Sequence, residues 1–172
     1  MSSPSPLRSR RALAPAAIAA LLLTSVGITA APASAAVSTD AAVIINEVYG
    51  GGGNSGAAFN RDFIELINVS DAAVDLSSWS VQYASTAGGT WQVTPLTGMT
   101  LDAGKTLLVG QATGSNTSLP GFTPDVNGTI AMSGTGGKVA LVNSASALAG
   151  STGLAQAESV IDYVGWGAAT DF

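Results

Sequence analysis

The chain has 172 residues, with six Lys plus Arg against eleven Asp plus Glu, no histidine and no cysteine. Those absences exclude Ser/His/Asp and Cys/His triads, zinc sites built on nitrogen and sulfur, disulfides and thiol redox centres. Carboxylates, hydroxyls and a few amines are the available chemistry, on a length that suits one domain with a real core.

At the N-terminus Arg8, Arg10 and Arg11 precede an apolar run from about Ala16 to Ile28, followed by Pro32 and Ala33-Ser34-Ala35. A charged segment, an apolar segment of roughly 7 to 15 residues and an A-x-A site follow one another in the order of a secretory signal peptide. Residues 1–35 are therefore expected to be a signal-peptide helix cleaved after Ala35, which predicts a secreted, extracellular product. The apolar run is short of the ~20 residues a membrane span needs, and Pro32 would end a helix. Ser9-Arg10-Arg11 leaves both the general and the twin-arginine export routes open.

Residues 36–172 then keep Arg61, Lys105 and Lys138 against all eleven acids, a net charge of −8. Nucleic-acid binders neutralise phosphates with clustered Lys and Arg. Three scattered cations cannot build such a patch, so this domain alone is expected to bind neither nucleic acid nor, once the signal is removed, a membrane.

Along the rest of the chain the hydrophobic period is two. Residues 42–49 read as a strand that ends in a flexible run, Gly50 to Gly56, and residues 62–68 read as the next. Trp79, Val81 and Tyr83 alternate with Ser78, Ser80 and Gln82 as a half-buried strand, and 91–93 continue the pattern after Gly88-Gly89. Further strands are expected at 105–109, 128–132, 138–142 and 159–164, with turns at Asp102-Ala103-Gly104, Pro124-Asp125, Asn127-Gly128 and Gly136-Gly137. About eight short strands without an amphipathic helix predict an all-β sandwich. Between Ala145 and Ala157 one helical turn is the most that Gly150 and Gly153 permit.

Several local patterns invite a functional reading. Gly51-x-Gly53-x-x-Gly56 matches the dinucleotide fingerprint in letters, but a strand follows where the pyrophosphate needs a helix N-terminus, so a mobile inter-strand loop is expected. Gly104-Lys105-Thr106 resembles the end of a phosphate-binding loop, yet Gly98 is one residue too distant and a strand follows; it reads as a turn. Glu47, Asp62 and Glu65 flank the glycine run and are the Ca²⁺ candidates if the two strands pair, through oxygen ligands. Their ordinary reading, as acids at strand ends, is the preferred one. Asp125-x-Asn127-Gly128 is a calcium-like fragment whose glycine comes too early and which no Glu closes. Paired carboxylates would also suit a glycosidase, for which no aromatic cleft is evident. Trp79, Trp91, Tyr83, Phe63, Tyr163 and Trp166 are expected to fill the core rather than form a sugar platform, with Trp166, between Gly165 and Gly167, the one to inspect for exposure. Asn68, Asn116 and Asn127 open glycosylation sequons that matter only in a host with that machinery.

Taken together, Ile44-Ile45-Asn46-Glu47-Val48-Tyr49 with its glycine run, Asp62-Phe63-Ile64-Glu65-Leu66-Ile67-Asn68, and Val74-Asp75-Leu76-Ser77-Ser78-Trp79 resemble the lamin-tail domain in its bacterial secreted form. Leu101-Asp102-Ala103-Gly104, Gly137-Lys138-Val139-Ala140-Leu141-Val142 and Ile161-Asp162-Tyr163-Val164-Gly165-Trp166 agree with it. The resemblance implies an immunoglobulin-like β-sandwich over residues 36–172, with a closing strand expected beyond Phe172. It further implies a noncatalytic interaction or structural module with an unidentified protein or cell-surface partner and no cofactor. The alternative it carries is the N-terminal part of an exported metal-dependent nuclease or phosphoesterase, whose catalytic domain uses histidines that this chain lacks. An uncovered edge strand would invite β-augmentation or self-association.

Overall fold

The computed structural model describes residues 40–170; the expected signal peptide, its cleavage after Ala35 and the expected segment past Phe172 lie outside the described residues. Ten strands and one 3₁₀ turn follow one another: β1 (Val43–Tyr49), β2 (Arg61–Asn68), β3 (Val74–Asp75), β4 (Ser80–Ala84), β5 (Gln92–Pro95), β6 (Thr100–Leu101), β7 (Thr106–Thr113), β8 (Val126–Asn127), β9 (Gly137–Val142), the turn Leu154–Gln156 and β10 (Val160–Trp166). One sheet has the order β1-β2-β7-β8 and the other β10-β9-β4-β5, with β3 and β6 forming a separate ribbon. This is the all-β sandwich that the period-two pattern predicts, with the immunoglobulin-like character that the resemblance implies.

Alternation builds the core. Val43, Ile45, Ile64, Leu66, Leu107 and Val109 from the first sheet meet Val81, Tyr83, Val139 and Leu141 from the second in one apolar cluster. Each such aliphatic side chain contributes about 1.5–3 kcal/mol through the area it removes from water. Leu76, Leu96 and Leu101, around the small ribbon, add to this cluster at one end. There Asn68, at the last position of β2, donates its side-chain amide to the carbonyls of Ala72 and Leu101 at 2.8 Å each. The Asn68 side chain that its sequon would offer is therefore buried and spent on structure.

Two features depart from the pattern read in the sequence. First, β4 and β9 are buried along their whole length. The polar alternants Ser80 and Gln82 do not face water, because residues 143–157 fold back over the outer face of the second sheet. Gln82 donates to the carbonyl of Ser146 (2.8 Å) and accepts from the Leu148 N–H (2.8 Å), and Ser80 Oγ donates to the carbonyl of Ser144 (2.6 Å). Trp91, Tyr163, Val142, Ala140, Leu154 and Val160 form a second apolar cluster beneath that flap, which carries the single helical turn expected there.

Second, residues 128–132, expected as a strand, do not form one. After a two-residue parallel bridge beside β7, the backbone of this stretch stays bonded to that of β7 only through Gly128 N–H on the Gly110 carbonyl (2.7 Å) and Ala112 N–H on the Ile130 carbonyl (2.9 Å), and it places Ile130 and Met132 in the main core. Two of its N–H groups find side chains in place of a ladder: Ile130 N–H donates to Gln111 Oε1 (3.2 Å) and Met132 N–H to Asp62 Oδ2 (2.7 Å). A strand-like apolar alternation serves equally to bury two side chains from a crossing segment, which is why the sequence pattern does not separate the two.

Candidate functional site

The edge strands of the two sheets, β1 and β10, come together on one side of the sandwich, and both contain a β-bulge. The bulge in β1 lies between Ile45 and Glu47, and that in β10 between Val160 and Asp162. Antiparallel ladders alternate between residues whose N–H and C=O point at the partner strand and residues whose groups point away. The bond from Val69 N–H to the Ala42 carbonyl makes Val43↔Asn68 an outward-pointing pair, which sets Ile45 and, past the bulge, Val48 facing away from β2. By the same count from the bond between Asn143 and Ser159, Tyr163 and Gly165 face away from β9.

Asp162 occupies the gap between these two edges. Its buried carboxylate accepts from Ile45 N–H of β1 (2.7 Å) and from its own neighbour Tyr163 N–H of β10 (2.8 Å). One side chain thus satisfies an outward donor from each sheet and clamps the sandwich there. Beyond it, towards the glycine loop, lies a cleft of about 440 Å³ lined by Val48, Tyr49, Gly50, Gly134, Val164 and Trp166. Outward-facing Val48 is a lining residue on the β1 rim, and outward-facing Gly165 stands on the β10 side between the lining residues Val164 and Trp166. Trp166 is half-buried; its indole N–H donates to the carbonyl of Ser133 (3.1 Å) and its ring packs 6.0 Å from Tyr83.

The glycine loop shapes the far end of this cleft, and it is pinned rather than flexible. Gly51 N–H donates to the Met132 carbonyl (2.9 Å), Gly53 N–H to the Phe59 carbonyl (2.9 Å) and Gly52 N–H to Asp62 Oδ1 (2.6 Å). A Cβ on Gly52 would collide with the Arg61 backbone, and Gly51 and Gly53 have φ near +79° and +75°, a conformation that L side chains rarely adopt. The loop runs into β2 and no helix follows, so it is the inter-strand loop expected from the sequence, held by these bonds in place of the expected mobility. Beside it Tyr49 stacks on Phe63 at 5.2 Å, with Phe59 and Phe122 edge-on, and Tyr49 Oη accepts from Ala58 N–H (2.7 Å).

The three acids singled out in the sequence are not brought together. Glu47 and Glu65 are direct cross-strand neighbours, with Asn46 Nδ2 donating to Glu65 Oε1 at 2.6 Å. Asp62 is buried and its two oxygens are engaged by Gly52 and Met132. Burial pushes its carboxyl above the ordinary value of 3.8, and the N–H groups of Met132, Gly52 and Gly51 pull against that shift. Among the described residues no group of three or more acidic side chains is arranged to hold a metal ion. Asp125, of the calcium-like fragment, accepts from Leu108 N–H at 2.8 Å. Of the six aromatics, Phe63, Tyr83, Trp91 and Tyr163 are buried, while Trp79 and Trp166 are partly exposed. The Gly104-Lys105-Thr106 segment is a turn leading into β7, closed by Lys105 N–H on the Asp102 carbonyl (3.1 Å).

Sequence reasoning did not find the clamp or the cleft. Asp162 alternates within an apolar strand like any solvent-facing acid, and only the bulges reveal why a carboxylate is buried there. Comparison with curated proteins returns no match. The family model for the Lamin Tail Domain matches residues 36–168, so the chain belongs to the lamin-tail domain family.

Proposed function

We propose that the chain is an exported, noncatalytic interaction module of the bacterial secreted lamin-tail type, which meets its partner at the cleft between β1 and β10. The observation that supports this reading is the use made of the buried polar side chains. Asp62, Asp162, Asn68, Gln82 and Gln111 each bond to backbone N–H or carbonyl groups that the ladders leave over. A side chain fixed in this way holds the fold and is not poised for proton transfer or nucleophilic attack. The cleft, by contrast, offers apolar walls beside backbone groups that face away from both sheets.

The other reading, an N-terminal part of an exported metal-dependent nuclease whose catalytic domain lies outside these residues, is separated by the DNA downstream of codon 172, where an in-frame or frameshifted continuation encoding a histidine-containing hydrolase would support it. The noncatalytic reading of the domain itself is tested by assay. Purified 36–172 incubated with plasmid DNA and with a phosphodiester chromogen, in Mg²⁺ or Mn²⁺, is expected to give no turnover. Metal-dependent cleavage that co-purifies with the folded protein would overturn the noncatalytic reading. Export carries its own check: protein recovered from culture medium should begin at Ala36, and an intact Met1 terminus on cytosolic protein would contradict it.

A further inference from the structure

We infer that the β1/β10 cleft takes an extended, basic peptide segment, added as a short strand between the two sheet edges. This rests on the reading of the domain as a binding module and goes beyond it by naming the occupant. Val48 on one rim and Gly165 on the other direct their N–H and C=O groups away from their own sheets, which is the template an added strand needs. The walls between them, Val48, Tyr49, Val164 and Trp166, accept the apolar side chains of every second residue of such a strand. Gly50 and Gly134 close the far end by packing backbone on backbone: a Cβ on Gly50 would meet the Ser133 carbonyl, and one on Gly134 the Gly50 carbonyl.

Charge selects the occupant. The exposed Glu47 stands beside Val48 on the rim, with Glu65 directly across the ladder from it. None of the basic side chains of the described residues belongs to the cleft lining. Arg61 Nε donates to the Gln111 carbonyl (2.7 Å), Lys138 lies 5.6 Å from the Trp91 ring on the outer face of the second sheet, and Lys105 sits in the turn before β7. A second copy of residues 36–172, which carry a net −8, would bring Glu47 against another acidic surface, and charged edges of this kind oppose pairing between copies. A segment with Lys or Arg on its outward alternants is attracted to the same rim.

The test uses purified 36–172 and two capped peptides of about eight residues, one alternating valine and lysine and one alternating valine and glutamate. Calorimetry and tryptophan fluorescence are expected to show the lysine peptide binding at least about tenfold more tightly at low salt, with the margin shrinking as salt is added. Val48→Pro removes the rim N–H while leaving the β1–β2 ladder intact, because that N–H faces away from β2. It should abolish binding in a folded protein. Should Val48→Pro not fold, Glu47→Lys, an exposed substitution, decides instead: it should cancel or reverse the preference between the two peptides. Equal affinity for both peptides, or no binding of either at millimolar concentration, overturns the inference, as does a stable dimer in sedimentation that Glu47→Lys disrupts. Loss of the inference in these ways, with no nuclease turnover, leaves the noncatalytic reading standing; turnover would remove that reading by itself.

Discussion

Asp162 and Asp62 act at the two places where the edge and the end of the first sheet run out of ladder partners, and each carboxylate takes up backbone N–H groups there. An unmade hydrogen bond at a buried donor costs about 1–3 kcal/mol. Asp162→Ala should therefore lower the unfolding free energy by about 2–4 kcal/mol, since it strands donors on β1 and β10 together. Urea titration measures it; a loss below about 0.5 kcal/mol would mean that water replaces the clamp without cost. Asp62 makes a prediction about pH. Because burial raises its folded-state value above the unfolded 3.8, the folded state holds its proton more tightly. Its contribution to stability is fully present below that unfolded value and is lost as pH rises through the raised one. In Asp62→Asn this dependence disappears. The wild type's advantage over the variant should be widest near the acid end and narrow towards neutral pH. A gap that widens with pH would contradict the assignment. Asp75, exposed and held by Ser77 below the ordinary carboxylate value, acts in the opposite sense and loses its contribution as pH falls. Glu47 and Glu65, like charges directly opposed, give a gain: Glu47→Lys should stabilise the fold by about 0.2–1 kcal/mol in the same urea titration.

Among the elements, the glycine loop and the 143–157 flap show how far sequence patterns reach. Seven of the expected strands coincide with observed ones to within a few residues, because alternating β-branched and aromatic side chains are the direct imprint of a two-sided strand. The pattern fails where a side is covered by something other than the opposite sheet. Ser80 and Gln82 alternate with Val81 and Tyr83 as though they met water, yet they meet the backbone of the flap. Polar residues that bond to a covering loop and polar residues that bond to solvent leave the same letters. The run from Gly50 to Gly56 reads as flexible because glycine permits motion; here glycine is required by close approach, which composition does not reveal. The flap yields a test at this scale. Gln82→Ala removes both of the flap's bonds to that side chain, at Ser146 and Leu148. Limited proteolysis should then cut between 143 and 152 at least about tenfold faster than in the wild type, as expected for a segment opened by about 1.4 kcal/mol or more. Unchanged cleavage would show that the second apolar cluster and the remaining bonds, from Ser80 to Ser144 and from Trp91 to Gly150, hold the flap down without Gln82.

For the whole molecule, the absence of histidine and cysteine excludes catalytic classes by composition alone, and the lamin-tail family is legible in the first forty residues past the expected signal. The candidate site is different in kind. It arises where two bulged edges from opposite sheets converge, and the residues that make it are more than a hundred positions apart, as Ile45 and Asp162 are. No local window contains that relation. These edges are closed at Asp162, and the cleft lies open beyond it. Amide hydrogen exchange of purified 36–172, resolved residue by residue, reads both. Ile45 and Tyr163, held by the carboxylate, should exchange slowly, while Val48 and Gly165 should exchange fast in the free protein and become protected when the valine–lysine peptide is added. Val48 and Gly165 already protected to the level of Ile45 in the free protein would contradict an open cleft.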